Sequence, residues 1–259
     1  MKPSPRRDTL AALLMDEGFL GFEESDEGLT GFFDKQKAGE GWKKILRDAG
    51  VTYEILPDIQ EENWNSLWES SIKPVDWENV YIRAHFHDPA PEGKIEVIID
   101  PKMSFGTGYH ETTKAMISLM QSVDFSGKTV IDMGTGTGIL AILAEKYGAK
   151  EIFAVDNDIW AYENALENVA ANRCGKIRIF HGDAALLDGF PAADVFLANI
   201  NKNILLRDIP AYCKASRGPV LLSGFYETDL PDIAEAMRKC NKKLEKKIVL
   251  NDWVGAKFG

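Results

Sequence analysis

Two acidic residues and three glycines near the middle of the chain have the types and spacing of a nucleotide-binding site. An apolar run that begins at Val130 leads into Asp132, and a second apolar run, residues 151–155, ends at Asp156. The alternating glycines between these runs are Gly134, Gly136 and Gly138. Glycine permits the left-handed backbone and the close ligand approach that such a turn requires. The pattern predicts a Rossmann-like strand–turn–helix–strand unit.

The chemistry of this turn favours S-adenosylmethionine over a dinucleotide. Dinucleotide sites use the spacing G-x-G-x-x-G and hold a pyrophosphate at a helix N-terminus, whereas this chain has G-x-G-x-G after a carboxylate. Asp132 would repel a phosphate but attract an amino group, and S-adenosylmethionine carries an α-amino group and no phosphate. Asp156 is predicted to accept two ribose hydroxyls. A tight turn without a ligand is the less favoured alternative, because the strands, glycines and helix agree.

A second polar segment, Ser104 to Thr113, precedes the first helix of the predicted sheet domain. Its two glycines and three threonines predict a loop above the carboxyl ends of the strands, where α/β sheets bind ligands. We expect this loop to cover the cofactor and to exclude water. Helix capping is the alternative for Thr107 and His110, and for His110 a structural role is as well supported as a catalytic one.

Polar residues that follow two later strands complete the predicted site. The apolar strand from Val195 brings Asn199 to the same sheet edge as Gly134 and Asp156. Methyltransferases of adenine or of glutamine amides usually carry Asn/Asp-Pro-Pro-Tyr here, whereas this chain has Asn-Ile-Asn-Lys, which favours an aliphatic amine as the acceptor. Asp183 is predicted to bind the adenine amino group, with a surface turn residue as the alternative.

Alternating helix and strand patterns from residue 105 to residue 259 predict an α/β domain with a doubly wound sheet. A helix is predicted over 111–122. The predicted buried strands are 130–132, 151–155, 177–181, 195–198 and 220–223. The final extended runs, 247–250 and 253–257, predict an antiparallel hairpin at the end of this sheet.

The N-terminal region, residues 1–74, predicts a small α+β domain of ferredoxin-like type whose first strand is short or missing. Its predicted elements are a helix at 9–17 with Asp8 as N-cap, a hairpin of strands 19–24 and 29–33, a helix at 41–49 and a strand at 51–56. Residues 75–104 are predicted to be a linker with two extended runs, 80–84 and 95–99. Three tryptophans within roughly residues 60–104 favour core and interface packing over a binding cage: Trp64, Trp68 and Trp77.

The composition argues against several classes of protein. The 259 residues are 45% hydrophobic and 27% charged, and the net charge of -10 argues against a broad basic face for nucleic acid. No apolar run is long enough for a membrane span, and the three cysteines show neither a metal nor a disulfide pattern. We therefore expect a cytoplasmic monomer that binds a basic protein partner, with no metal, membrane or direct nucleic-acid contact.

Four stretches of the chain resemble the ribosomal protein L-eleven (L11) methyltransferases, which are S-adenosylmethionine-dependent protein lysine methyltransferases. The matching stretches are Phe105–Thr113, Thr129–Ile142, Val155–Asp158 and Ala198–Ile200. The resemblance implies a sheet of the class I methyltransferase type and S-adenosylmethionine as cofactor. It is strong over residues 60–259, whereas the small domain shares the family's order of elements more than its letters.

The resemblance also implies roles for individual residues. It places Thr113, Gly134, Asp156 and Asn199 at cofactor-contacting positions. Phe105 and Thr107 fall in the loop that covers the cofactor. The N-terminal domain is expected to recruit ribosomal protein L11, whose lysine side chains and N-terminal amine are methylated. We predict that Asn199 orients the amine, and His110 is the candidate if a general base acts.

Other functions stay open at this point. One alternative is a methyltransferase of the same fold that acts on another protein, an RNA or a small-molecule amine, although the acidic N-terminal domain argues against RNA. A non-catalytic ribosome-associated adapter is a second alternative, which the complete set of cofactor residues disfavours. An NAD enzyme is the weakest alternative because of the glycine spacing and Asp132.

Overall fold

The computed structural model describes residues 5–25, 28–34, 41–56, 72–100, 102 and 105–259. The chain divides into two compact units, residues 1–63 and 64–259. Within the described ranges no helix is long and apolar enough to cross a membrane. The predictions for Trp64 and Trp68 concern positions outside these ranges.

The smaller unit packs two helices and a hairpin around a few large apolar side chains. Its elements are α1 (Pro5–Asp16), β1 (Phe19–Glu24), β2 (Leu29–Phe33) and α2 (Gly41–Asp48). The two strands pair antiparallel, and Ser25 closes their turn by donating its backbone N–H to the Gly28 carbonyl at 2.9 Å. The buried core consists of Leu14, Phe19, Trp42 and Leu46. The predicted hairpin is confirmed.

Two N-terminal predictions were wrong in detail. The first helix begins at Pro5 rather than at Thr9, so Asp8 lies inside the helix and is not its N-cap; proline is well tolerated in a first helical turn. The predicted strand over residues 51–56 does not form. Alternating apolar residues satisfy the side-chain pattern of a strand, but a strand also needs a paired edge, and no described residue pairs with this segment.

A seven-stranded sheet lies at the centre of the larger unit. Its strands are β6 (Thr129–Met133), β7 (Glu151–Asp156), β8 (Ile177–His181), β9 (Val195–Asn199), β10 (Val220–Tyr226), β11 (Leu244–Leu250) and β12 (Trp253–Phe258). The spatial order is β11-β12-β10-β9-β6-β7-β8. Strands β6 to β10 are parallel and β12 is antiparallel to both neighbours. The predicted doubly wound sheet and terminal hairpin are confirmed.

Helices cover both faces of this sheet. The helices are α3 (Glu111–Met120), α4 (Ile139–Lys146), α5 (Ile159–Ala171), α6 (Lys202–Lys214) and α7 (Leu230–Lys239). Successive residues of a strand point to opposite faces, so Val130 packs with α3 and α4 while Ile131 packs with α6 and α7. Because the chain runs from β6 to β7 on one side and returns to β9 on the other, a crevice opens at the carboxyl ends of β6 and β9.

Residues 75–98 form a three-stranded sheet within the larger unit. Its strands are β3 (Val75–Trp77), β4 (Val80–Arg83) and β5 (Ile95–Ile98). Val80, Ile82 and Val97 pack into the same apolar core as α3 and α4, and Trp77 donates from Nε1 to the Ser118 hydroxyl at 3.0 Å. Trp77 is thus a packing residue, as predicted.

Candidate functional site

The glycine turn after β6 adopts a backbone that other residues rarely adopt. The φ angles of Gly134, Gly136 and Gly138 are 68°, 56° and 82°. A Cβ on Gly136 would lie 2.3 Å from the Phe105 carbonyl oxygen, and one on Gly134 would lie 2.6 Å from the Ile200 side chain. Both the conformation and the crowding therefore require glycine here.

Asp156, at the end of β7, is held by the backbone of the neighbouring turns. One carboxylate oxygen accepts the Gly136 N–H at 2.8 Å and the other accepts the Asp158 N–H at 3.0 Å. The residue is 9% exposed. Each carboxylate oxygen keeps a second lone pair, so Asp156 retains acceptor capacity for the two ribose hydroxyls that the sequence predicts.

Asp132, at the opposite side of the turn, is fully buried in β6. Its Oδ2 accepts the Thr135 hydroxyl at 2.6 Å, whereas its Oδ1 has no hydrogen-bond partner among the described residues. Burial raises the pKa of this carboxyl to about 7; the Thr135 hydroxyl and the nearby Ala141 backbone N–H oppose the increase, and the charge of Asp156 adds to it. A cationic group beside Oδ1 would stabilise the ionised form.

The loop from Phe105 to His110 is fastened to the glycine turn. Thr137 donates its backbone N–H to the Phe105 carbonyl at 3.0 Å and its hydroxyl to the Gly106 carbonyl at 2.6 Å. Thr107 lines a small cavity on the side of the three-stranded sheet. Phe105 lies beside the turn with a ring that is 55% exposed, which places it, more than Thr107, where a covering residue is needed.

His110 is the N-cap of α3. Its Nδ1 accepts the backbone N–H of Thr112 at 3.2 Å. A backbone N–H can only donate, so Nδ1 is the acceptor and a neutral imidazole carries its proton on Nε2. His110 could accept a further proton only by giving up this cap, so the geometry favours the structural role.

Buried polar atoms without partners mark the predicted cofactor site. Among the described residues, five have such side-chain atoms. Thr113 Oγ1, Asp132 Oδ1 and Asn199 Oδ1 belong to predicted site residues, and the other two residues are Asn164 and Tyr212. The first three residues were predicted from the sequence as cofactor contacts. Because an unpaired buried polar group is costly, a ligand with several donors is the expected partner. S-adenosylmethionine offers an amino group and two ribose hydroxyls, which fits these acceptors.

Asp183 caps the 3-10 helix formed by Ala184–Gly189. Its Oδ1 accepts the Ala185 N–H at 2.9 Å, and its side chain is exposed. This geometry matches the turn-residue alternative, while a contact from its other oxygen to adenine stays a prediction.

Sequence reasoning missed the residues that close the crevice from the β10 side. Gly224 interrupts the pairing of β10 with β12 and has a φ of 97°. A Cβ there would lie 2.2 Å from the Ile200 carbonyl oxygen. The chain that leaves β9 through Ile200 therefore passes between Gly134 and Gly224, and this position holds Asn199 at the crevice. Gly224 carried no motif signal, since its partner is distant in sequence.

The site shows no sign of a metal centre. No group of three or more His, Cys, Asp or Glu side chains among the described residues could hold a metal ion. The three cysteines carry free thiols.

The chain is similar in sequence to proteins of one described family. The sequence model of the family described as "Ribosomal protein L11 methyltransferase (PrmA)" matches residues 22–258. The chain is 38% identical to the ribosomal protein L11 methyltransferase of Phocaeicola vulgatus, over 97% of this chain and 92% of that protein. It is also 38% identical to the protein of the same name from Porphyromonas gingivalis, over 97% and 90%.

A solved structure shows the same similarity. The crystal structure of a ribosomal protein L11 methylase from Lactobacillus delbrueckii subsp. bulgaricus superposes with a TM-score of 0.67 at 28% sequence identity. The match covers 73% of this chain and 98% of that one. The structural comparison and the sequence comparison thus point to proteins with the same described activity.

Proposed function

The chain belongs to the ribosomal protein L11 methyltransferase family, and from this premise we propose that it methylates lysine side-chain and N-terminal amines of ribosomal protein L11. S-adenosylmethionine is the methyl donor. The observation that carries the proposal is the group of unpartnered acceptors at the crevice, Thr113, Asp132 and Asn199. The family resemblance predicts Thr113 and Asn199 as cofactor contacts, and the carboxylate chemistry predicts Asp132. No proline pair or aromatic residue follows Asn199 to bind a flat base.

We assign the cofactor contacts as follows. The Asp132 carboxylate binds the amino group, Asp156 binds the ribose hydroxyls, and the glycine turn gives the backbone a close approach to the ligand. Phe105 covers the ligand from the loop. Thr113 donates or accepts one hydrogen bond through its buried hydroxyl. The assignments are supported by burial, by the unpartnered atoms and by the left-handed glycines.

When bound, S-adenosylmethionine would supply a methyl group from its sulfonium: the N–C bond to the amine forms in line as the C–S bond breaks, and the thioether S-adenosylhomocysteine is the leaving group. The nitrogen must be neutral and aligned, and positioning of two reactants contributes on the order of 7 to 11 kcal/mol. Asn199 Oδ1 is the acceptor that holds the amine N–H and turns the lone pair toward the methyl group. A lysine has a pKa of roughly 10.4, and desolvation in the crevice lowers it. His110 is not assigned the role of general base, because its Nδ1 accepts the hydrogen bond that caps α3.

The smaller unit is proposed to recruit the protein substrate. Several of its large apolar side chains are exposed, with Leu20 at 71% and Ile55 at 61%. Residues 1–63 carry 8 Lys and Arg against 14 Asp and Glu. An acidic surface with exposed apolar side chains suits a basic protein partner.

Mass spectrometry of ribosomal protein L11 tests the proposal directly. We expect mass increases of whole methyl groups, at lysines or at the N-terminal amine, after incubation with this protein and S-adenosylmethionine. Parallel samples replace L11 with ribosomal RNA or with the remaining large-subunit proteins. Methylation of RNA, or of another protein in place of L11, would contradict the proposal.

Replacement of Asn199 by alanine separates catalysis from cofactor binding. Loss of the acceptor leaves the amine unaligned, so we expect Asn199→Ala to lower kcat by about a hundredfold. The Kd for S-adenosylhomocysteine should rise by less than about fivefold. Asn201→Ala is the matched control, because Asn201 caps α6 through Ile204 N–H; it should lower stability by about 1 kcal/mol and keep most of the turnover. Equal losses of turnover and affinity in Asn199→Ala would make Asn199 a cofactor ligand only.

A further inference from the structure

Four aromatic rings form a continuous row at the crevice. The row, called the aromatic row below, consists of Phe105, His110, Trp253 and Tyr226. The ring centroids of Phe105 and His110 lie 5.3 Å apart, those of His110 and Trp253 lie 4.8 Å apart, and those of Trp253 and Tyr226 lie 4.1 Å apart. The first two pairs meet edge to face. Such contacts stabilise the arrangement of the rings.

Both ends of the aromatic row are tied to the proposed reaction centre. At one end the Phe105 carbonyl accepts the Thr137 N–H of the glycine turn. At the other end Tyr226 is the last residue of β10, the strand whose Ser223 lies beside Asn199. Trp253 opens β12 and is the Cα partner of Tyr226. The row therefore runs from the cofactor-covering loop to the strand next to Asn199.

The rings are more exposed than packing alone requires. Phe105 is 55% exposed, Tyr226 is 48% exposed and Trp253 is partly buried. Aromatic side chains gain most from burial, and the centre of the larger unit accommodates rings such as Phe196 and Phe225 completely. A row of rings that stays open to solvent beside a reaction centre is suited to contact a substrate.

Charges near the aromatic row favour a cationic substrate. Glu111 follows His110 and is bound by Asn251 at 3.1 Å. Lys202 is paired with Asp229 at 2.8 Å and with Asp232 at 2.7 Å. Lys202, three residues after Asn199, is thus neutralised by two carboxylates. Glu227, next to Tyr226, is paired with Lys247 at 2.8 Å, and Lys114 lies one turn from Glu111 on α3. Four carboxylates thus stand against three lysines near the row, and this small acidic excess favours an ammonium group over a phosphate.

We propose that the aromatic row is the entrance for the acceptor amine, with Trp253 and Tyr226 as specificity-determining residues. The ring faces hold the aliphatic stem of a lysine and its ammonium group by apolar contact and cation–π attraction. The ammonium group releases one proton to solvent, and the neutral nitrogen then lies at Asn199. Because methylated ammonium groups also bind aromatic faces, the row retains a partly methylated lysine for the next transfer. This inference rests on the proposed function.

Kinetics of four variants with L11 as the substrate test the inference. Trp253→Leu and Tyr226→Leu remove the π faces, and Trp253→Phe keeps a ring. Val249→Ala, at a partly exposed position of the adjacent strand β11, controls for changes in the hairpin. We expect kcat/KM for L11 to fall about tenfold in the two Leu variants, mainly through KM, which corresponds to loss of a partly desolvated cation–π contact. Trp253→Phe should stay within about threefold of the wild type, and Val249→Ala within about twofold.

Two binding measurements support the kinetics. The affinity for S-adenosylhomocysteine controls for misfolding of the variants, and the affinity for a small cation tests the row without L11. The Kd for S-adenosylhomocysteine should change less than about twofold in every variant. With S-adenosylhomocysteine bound, choline should bind to the wild type at least about fivefold more tightly than 3,3-dimethylbutanol, its uncharged isostere, and Tyr226→Leu should remove this preference. Unchanged kcat/KM in both Leu variants, or an equal loss of cofactor affinity, would overturn the inference.

The choline measurement also separates failure of the inference from failure of the proposed function. If the wild type does not methylate L11 but prefers choline, the proposed substrate is wrong and the aromatic row still binds cations. Equal affinity for choline and 3,3-dimethylbutanol would overturn the inference even if L11 is methylated. Preference for a nucleoside monophosphate over choline would assign the rings to base stacking instead.

Discussion

The two ends of strands β6 and β9 hold aspartates in opposite electrostatic states. At the amino end, Asp194 accepts the Thr129 N–H at 2.9 Å and the Arg217 guanidinium at 2.8 Å. The Arg217 hydrogen bond, followed by that from Thr129, lowers the pKa of Asp194 to about 2. At the carboxyl end, burial raises the pKa of Asp132 to about 7 and one of its oxygens has no partner among the described residues. Groups of the protein thus bind both carboxylate oxygens of Asp194, whereas one carboxylate oxygen of Asp132 is available to a ligand.

Glycines at the two ends differ in the same way. Gly127, before β6, has a φ of 67°, and a Cβ on it would meet nothing within 4 Å. Gly136, after β6, has a φ of 56°, and a Cβ on it would overlap the Phe105 carbonyl. The amino end needs glycine only for its conformation, whereas the carboxyl end also needs it for close approach. Unsatisfied acceptors and crowded backbone together distinguish a ligand site from a structural turn.

The largest expected effect is that of Gly136→Ala. The added methyl group overlaps the loop backbone at a left-handed position, and overpacking with strain costs roughly 3 kcal/mol. We expect the affinity for S-adenosylhomocysteine, measured by calorimetry, to fall about a hundredfold, together with a lower Tm. Gly127→Ala is the matched control, and it should lower stability by about 1 kcal/mol without changing affinity. Affinity within about threefold of the wild type in Gly136→Ala would remove the contrast between the two turns.

An intermediate effect is expected from the protonation of Asp132. With its pKa near 7, the carboxyl is mostly protonated at about pH 5.5 and roughly half ionised at about pH 7. The α-amino group of the ligand stays protonated over this range, so affinity for S-adenosylhomocysteine should increase up to about tenfold as the pH rises. Asp132→Asn should bind more weakly and without this pH dependence. A wild-type affinity that is equal at both pH values would show that Asp132 does not contact the amino group.

The smallest effect on the ligand is expected from Asp194→Asn. The lowered pKa of Asp194 stabilises the fold above the unfolded-state pKa, and this contribution is lost as the pH falls through about 4 toward 2. Denaturant unfolding near neutral pH should show a loss of about 2 kcal/mol. The loss should shrink below about pH 4, and cofactor affinity should not change. A change in affinity would mean that the amino end of the sheet is coupled to the site.

Most of the fold was predictable because its signals are local in sequence. Parallel strands buried on both faces are continuous apolar runs, and the predicted strands agree with β6 to β10 within a few residues. The segment over residues 51–56 failed because its strand pattern has no paired edge. The clamp that holds β5 against α5, in which Asn172 Oδ1 accepts the Ile98 N–H at 2.9 Å, joins distant segments and gave no signal.

The positions of the site residues that lie within local motifs were also predictable, whereas the roles of some of them were not. Residues within motifs, such as Asp132, Asp156 and Asn199, lie at one crevice as expected. His110 and Asp183 were also found, but the structure shows both side chains as caps. Capping and ligand binding use the same polar residue types, so sequence alone left these alternatives open.

The sequence by itself determined the kind of ligand and the sheet that holds it. A carboxylate before alternating glycines and a second carboxylate after the next strand are short-range patterns with a direct chemical meaning. Only the tertiary structure decided which acceptors stay unpartnered, how Ile200 passes between Gly134 and Gly224, and that Phe105, Trp253 and Tyr226 belong to one row. These relations depend on contacts between residues far apart in the chain, and such contacts exist only after the strands have paired.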